Sequence, residues 1–413
     1  MFGFANFLLL ALFAAAVFDL IFALARGGGL RGALHGLWNT PHLLFGQQLA
    51  EWRLQLGRIL FAAGLAAYEI SVVFCNSMAR QNWAWVQGVM SPVLEWLAFL
   101  CFGAKILFGT RYTWRELLAG GALYFIARWV YFNSQNIWWI GIVVAVLAAK
   151  DVPLRRPLQV YFASGCAAMA VVLALHFAGI VAPDLTSERM GALRGTYGYG
   201  HPNTFGGLVF GLVLAYALLR AQKVRWVDCL LVFAIGVFLL VGPASRSAAL
   251  CTLALAVGLV FCRLRAGHSV PRWWPGTCAG MVGLTAAVSY LLPLLVIKVG
   301  PWNNDIGPAW LAKLDSLLTC RISLTWMAYR LLDVKIAGQV FNWPTVDNSF
   351  AFALFQFGPV VAALLGILFA AALWGHAKQG RRVEVCCLFA MLAYAYMEVQ
   401  PFHLTTKIGR AHV

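Results

Sequence analysis

The feature that most constrains this chain is a succession of apolar runs, each about as long as a bilayer is thick. The first, spanning residues 4–24, reads FANFLLLALFAAAVFDLIFAL. Hydrocarbon admits a helix when roughly 20 consecutive residues are mostly apolar, because every backbone N–H and C=O is then satisfied inside the segment. Runs of this kind predict helices near 4–24, 58–76, 86–108, 114–132, 134–150, 157–180, 204–222, 226–243, 246–264, 276–297, 347–373 and 384–402, about twelve in all. With 62% hydrophobic and only 11% charged residues, the chain carries more apolar surface than one water-facing fold can hide, which excludes a soluble globular protein. The expected fold class is an all-α integral membrane protein, a single polytopic domain over residues 1–406.

The two ends need separate treatment. No basic stretch precedes the first run and no small-residue cleavage site follows it, so it reads as a retained helix and not a signal peptide. At the other end KIGRAHV, residues 407–413, resembles a translated sequencing adaptor. It is read as an artefact beyond which the natural chain continues, and Arg410 and His412 carry no functional weight. The ten cysteines lie mostly inside apolar runs without CxxC or Cys/His spacing, and read as packing residues. No metal site and no cofactor is expected.

The formal net charge of +16 reports topology. Basic clusters fall at every second loop: ARGGGLRG with EWRLQLGR, GTRYTWR, AKDVPLRR, RAQKVRW, CRLRAGHSVPRWW and HAKQGRR. Lys and Arg accumulate on the cytoplasmic side of membrane helices, so these loops face the cytoplasm. The amino terminus, the loop at 181–203, GPASRS and the long polar region at about 298–346 then face outward. Residues 25–57 read as a cytoplasmic amphipathic segment lying on anionic membrane lipid. No nucleic acid partner is implied.

The outer loops hold the polar chemistry. GTYGYGHPNTFGG follows Arg194; its glycines allow positive φ and close backbone approach, and His-Pro-Asn opens a helix that Asn203 or Thr204 can cap. A helix amino terminus beside Arg194 suits an anion. On residues alone a plain turn, with His201 satisfied by carbonyls, stands beside that reading. SLLTCRISLTWMAYRLL reads as one amphipathic helix on the outer surface, with Arg321 and Arg330 on a similar face. Asp347 precedes the next apolar run and can serve as its N-cap. Arg246, in GPASRSAAL, stands where a helix begins and can simply snorkel to the headgroups. Four ionisable residues, Glu69, Glu95, Lys105 and Arg128, fall inside apolar runs. Such charges line transport paths, so a transporter is the competing class.

Taken in order, Arg-Gly followed by YGYGHPN, then SRSAAL, LLTCRISLTW, IAGQ and VDNSF with the glycine of FGPV, resembles the Wzy-type oligosaccharide-repeat-unit polymerases of the O-antigen polymerase and ligase group. The resemblance runs from about residue 150 to 400. It implies a GT-C-like polytopic bundle in the bacterial cytoplasmic membrane with an active site facing outward. The implied activity is metal-independent, inverting glycosyl transfer that polymerises undecaprenyl-diphosphate-linked oligosaccharides for capsule, exopolysaccharide or O-antigen. A flippase and a chain-length regulator are the implied protein partners. With no divalent cation, arginines would meet the charge of the departing diphosphate. Arg194, Arg246 and Arg321, with Asn203, are implied as the diphosphate-binding residues, and His201 as the base with Asp347 and Glu398 as rivals. Ligase-type transfer to a lipid or protein acceptor, or a non-enzymatic flippase, are the alternatives.

The topology is directly testable. In a cysteine-free background, Ser187→Cys should react with a membrane-impermeant thiol reagent applied from outside, and Lys223→Cys should not. The reverse pattern would put the GYGHPN loop on the wrong side.

Overall fold

The computed structural model describes residues 2–25, 30–44, 51–181, 187–189, 192–295, 308–318, 320–341 and 343–399. The expected adaptor-like tail at 407–413, most of the loop at 182–191 and residues 298–307 of the long polar region lie outside the described residues. Seventeen α-helices occur among the described residues, with two short two-stranded antiparallel sheets as the only strands there. Among the described residues eight helices are long and apolar enough to cross a membrane: Asn6–Ala25, Glu51–Cys75, Val86–Phe108, Arg155–Phe177, Pro202–Arg220, Arg246–Leu264, Trp274–Leu295 and Pro359–Lys378. Trp139–Ala149 and Trp226–Val241 are apolar but shorter. The chain is that of a multi-pass membrane protein. Phe177, Val227 and Val241 are more than two-thirds exposed, which suits hydrocarbon and not water.

The contacts fall into two compact units where the sequence suggested a single domain. The first comprises 1–132 and 136–182, the second 133–135 and 183–413. In the first, the Glu51–Cys75 helix packs on Ser91–Phe108 through small residues. A methyl added at Gly57 would sit 2.6 Å from the Gly109 carbonyl oxygen, so two backbones touch there. Phe61, Phe99 and Phe102 fill the space around them. Lys105 is fully buried: its Nζ donates to Thr110 Oγ1 at 2.8 Å and to the Lys150 carbonyl at 2.6 Å, which satisfies the ammonium at the helix end. Glu69 and Glu95 are buried on facing helices of the same unit.

In the second unit, Asp228 ties the Pro202–Arg220 and Trp226–Val241 helices together at their connecting loop. Its carboxylate accepts from the Arg225 backbone at 2.7 Å, from Arg220 Nε at 3.2 Å and from the Tyr216 hydroxyl. At the opposite end of this hairpin, only Gly242 to Ser245 separate Trp226–Val241 from Arg246–Leu264.

Three helix expectations are corrected. The run at 347–373 is two helices, Ser349–Phe357 and Pro359–Lys378, broken at Gly358. Gly358 has φ +86° and faces the turn at Gly338, φ +73°; an added methyl at Gly358 would lie 2.0 Å from the Ile336 carbonyl oxygen. The IAGQ turn is thus wedged against the break, which the Gly358-Pro359 pair marks in the sequence. The final helix, Arg382–Met397, ends five residues before the expected 402, leaving Glu398 as the first residue beyond it. SLLTCRISLTWMAYRLL is not one helix: Ala309–Leu317 ends, Cys320 turns with φ +65°, and Arg321–Leu331 begins anew. Arg321 is buried whereas Arg330 is exposed over the Trp326 ring. A separation of nine residues at 3.6 per turn puts two side chains on opposite faces, so the similar face expected for this pair does not exist.

Gly358→Ala should lower the apparent Tm of the detergent-solubilised protein by several degrees, since the positive φ and the backbone contact together cost about 2 kcal/mol or more. Gly366→Ala, in open space on the next helix, should leave it within about a degree.

Candidate functional site

The site begins with how the chain enters the Pro202–Arg220 helix. Tyr197 and Gly198 both adopt positive φ, 51° and 81°, and reverse the chain after Arg194. The Tyr197 ring stacks on Phe205 at 5.1 Å and tilts against Phe238 at 5.7 Å, while Tyr199, fully buried, lies 5.6 Å from Phe205. A methyl at Gly242 would come 2.7 Å from the Tyr197 hydroxyl, and one at Gly195 would come 2.8 Å from its ring. The motif therefore anchors the loop on two helices: those glycines make room for a tyrosine, where the sequence suggested room for a ligand.

His201 caps the helix. Its Nδ1 accepts from the Asn203 backbone N–H at 3.1 Å with Pro202 in the first turn, so the cap expected of Asn203 or Thr204 belongs to the histidine. The ring is exposed. The Asn203 side chain is left to bridge instead. Its Oδ1 accepts from Arg194 Nη2 at 3.0 Å and from the Ser245 hydroxyl at 3.4 Å, and its Nδ2 donates to Glu398 Oε1 at 3.0 Å. Gly206 permits this approach: a methyl there would collide with Ser245 Oγ at 2.3 Å.

Glu398 is the hub. Besides Asn203, its Oε1 accepts from Arg321 Nη2 at 2.7 Å, and both residues are buried. Arg321 Nη2 also reaches Ser247 Oγ at 3.3 Å, Nη1 donates to the Leu318 carbonyl at 2.9 Å, and Nε donates to the Met397 carbonyl. The guanidinium is thus held by four protein acceptors. Asp315 presents it: that carboxylate accepts from the backbone N–H groups of Ile322 at 2.8 Å and Ser323 at 3.2 Å, fixing the first turn of the Arg321–Leu331 helix. The Ser349 hydroxyl donates to the Glu398 carbonyl, and Asn348 caps Ser349–Phe357 by accepting from Phe350 and Ala351 N–H at 2.9 and 3.1 Å. The N-cap expected of Asp347 is therefore Asn348. Asp347 is half-buried, and its charge acts on Glu398.

Of the residues singled out in the sequence, Arg194, Asn203, Arg321 and Glu398 form one hydrogen-bonded chain, with Asp347 beside it and His201 joined through the Asn203 backbone. Arg246 stands apart. It is exposed at the first turn of Arg246–Leu264, and the residues on either side, Ser245 and Ser247, turn into the cluster. These serines, Ser349 and Asp315 were not singled out beforehand; small hydroxyls at a helix entry, flanking an arginine, were the available signal. Among the described residues no three His, Cys, Asp or Glu side chains gather as metal ligands would. Comparison with family models, with curated proteins and with solved structures returns no match.

Burial raises the Glu398 carboxyl, Arg321 opposes it, and the Asp347 charge raises it further, so it is pushed up to about 7. The folded protein thus favours the protonated acid. The stability this contributes is fully present below about 4.5 and is lost as pH rises through about 7. Thermal stability should fall between pH 5 and 8 by an amount on the order of 3 kcal/mol from this group, and Glu398→Gln should remove that share of the slope. An identical slope in wild type and variant would remove the perturbed carboxyl from the account.

Proposed function

We propose that the protein is a glycosyltransferase of the outer face of the bacterial cytoplasmic membrane, polymerising oligosaccharide repeat units carried on undecaprenyl diphosphate. The observation that carries the reading is the meeting of motifs far apart in sequence. Arg194 with Asn203, Ser245 with Ser247, Arg321, and Glu398 join in one buried polar chain at one end of the second unit's helices. Under the alternation of basic loops this end faces outward.

In this reading a hydroxyl of the acceptor sugar attacks the anomeric carbon of the donor, the bond from that carbon to the diphosphate oxygen breaks, and the carrier diphosphate leaves. The hydroxyl proton passes to a base. Glu398 suits that task better than His201: its affinity for a proton lies near neutrality, whereas the His201 Nδ1 lone pair is engaged by the Asn203 N–H. Arg321, already held by protein acceptors, serves to orient Glu398 and to stabilise its ionised form. Arg246, exposed beside the two serines, is the arginine open to the diphosphate, with Arg194 behind it. A flippase and a chain-length regulator would act beside it.

Transport is favoured by one specific observation, the buried carboxylates Glu69 and Glu95 of the first unit. Movement of lipid-linked substrate between leaflets without chain growth would support it, and a single transfer to a lipid or protein acceptor would support a ligase.

Purified protein supplied with lipid-linked repeat units should build a polymer ladder. The rate should rise with pH through about 7, because the base acts ionised. Glu398→Gln should slow growth by roughly a hundredfold or more, Arg246→Lys by about tenfold, and His201→Ala by less. Full activity in Glu398→Gln with loss in His201→Ala would transfer the base to the histidine; full activity in all three would make the cluster structural.

A further inference from the structure

The first unit contains a cavity of about 550 Å³ that the glycosyl-transfer reading does not use. Its walls are the Phe2–Ala25, Trp114–Ser134 and Trp138–Ala149 helices, and its lining is almost wholly apolar. The size lies within the range of small-ligand sites. Gly121 opens onto it: a methyl added there meets nothing within 4 Å. Toward one end the lining residue Tyr124 donates its hydroxyl to Asn6 Oδ1 at 2.6 Å, and that oxygen also accepts from Arg128 Nη1 at 3.2 Å.

The other end has a different character. Trp114, which lines the cavity, carries a buried indole N–H with no hydrogen-bond partner among the described residues. Its neighbour Arg115 is exposed, with its guanidinium 5.5 Å from the Trp38 ring centre and bonded to the Asn39 side chain. Trp38 lies in the last turn of a short helix, Leu30–Asn39, along which Leu30, Leu34 and Trp38 recur every fourth residue and are all exposed, beside exposed Arg31. A short helix with one apolar stripe and basic neighbours lies in the plane of a membrane interface. Cation, interfacial helix and apolar cavity therefore meet on the basic-loop side, where anionic headgroups accumulate.

We propose that this cavity is a binding site for an anionic phospholipid of the cytoplasmic leaflet, with one acyl chain inside it and the phosphate against Arg115 and the Trp114 N–H. The charge of the site selects the headgroup, and the apolar walls accept any acyl chain. The long prenyl carrier is disfavoured because its diphosphate would have to sit on the side of the membrane away from the proposed sugar chemistry.

The full chain reconstituted in bilayers can be probed with phosphatidylglycerol bearing a photoreactive diazirine on its acyl chain, against phosphatidylcholine with the same chain. The negative lipid should label peptides from 8–20 and 114–125 about fivefold more strongly, the ratio expected from one arginine near an anionic headgroup. Gly121→Phe should remove the labelling, while Gly280→Phe, whose added ring enters open space in the second unit, should not. Arg115→Gln should erase the preference between headgroups while leaving the phosphatidylcholine signal unchanged. Equal labelling by both lipids, persistence in Gly121→Phe, or stronger labelling by a photoreactive prenyl diphosphate would each overturn the proposal. Should Gly121→Phe fail to accumulate, competition decides: unlabelled phosphatidylglycerol must suppress the wild-type signal and phosphatidylcholine must not. None of these outcomes depends on whether chain growth is observed.

Discussion

The Arg321–Glu398 pair is the interaction on which the second unit's polar end depends. Both side chains are out of solvent, and an isolated charge there would cost several kcal/mol. The cost is met by completeness, since Arg321 finds four acceptors and Glu398 is met by Arg321 and Asn203 while its backbone carbonyl takes the Ser349 hydroxyl. Those partners come from the ends of several helices, with Met397 and Glu398 adjacent at the end of one of them. Removing one partner leaves the others buried and unsatisfied, so the group behaves as a unit and draws the ends of Pro202–Arg220, Arg246–Leu264, Arg321–Leu331, Ser349–Phe357 and Arg382–Met397 together.

Glycines supply the clearance that this gathering needs. Gly206 lets Ser245 rest on a helix backbone, and Gly338 and Gly358 let a loop and a helix break interlock. In each case the missing side chain is what allows a polar group or a carbonyl to come within hydrogen-bonding or contact range. The aromatic pair Tyr197 and Tyr199 then locks the Arg194 loop down with apolar area, while Arg194 and Thr196 of the same loop are buried.

The glycosyl-transfer reading draws its strength from this convergence and from the near-neutral Glu398 carboxyl, because a base must be able both to take and to release a proton at working pH. The first unit has a different chemistry. Lys105 and the carboxylates Glu69 and Glu95 are internal to its packed helices, and its cavity is apolar.

Apolar runs of about 20 residues pointed to membrane-spanning helices, since in hydrocarbon a single run of that length satisfies its own backbone only as a helix; each of the twelve runs contains a helix, and among the described residues eight helices are long and apolar enough to cross. Arg194, Asn203 and Arg321 could be named from sequence because charged and amide groups at the ends of apolar runs stand out, whereas Glu398 was implied only by the resemblance. Tertiary structure alone decided their partners. That His201 caps its helix rests on one N–H two residues away, and whether Arg321 faces solvent or Glu398 depends on a helix restart at Cys320. Likewise, Arg246 points outward while its flanking serines point in, a choice set by packing of the helix entry. Composition records which groups are costly to bury; only the fold records which partner each of them finds.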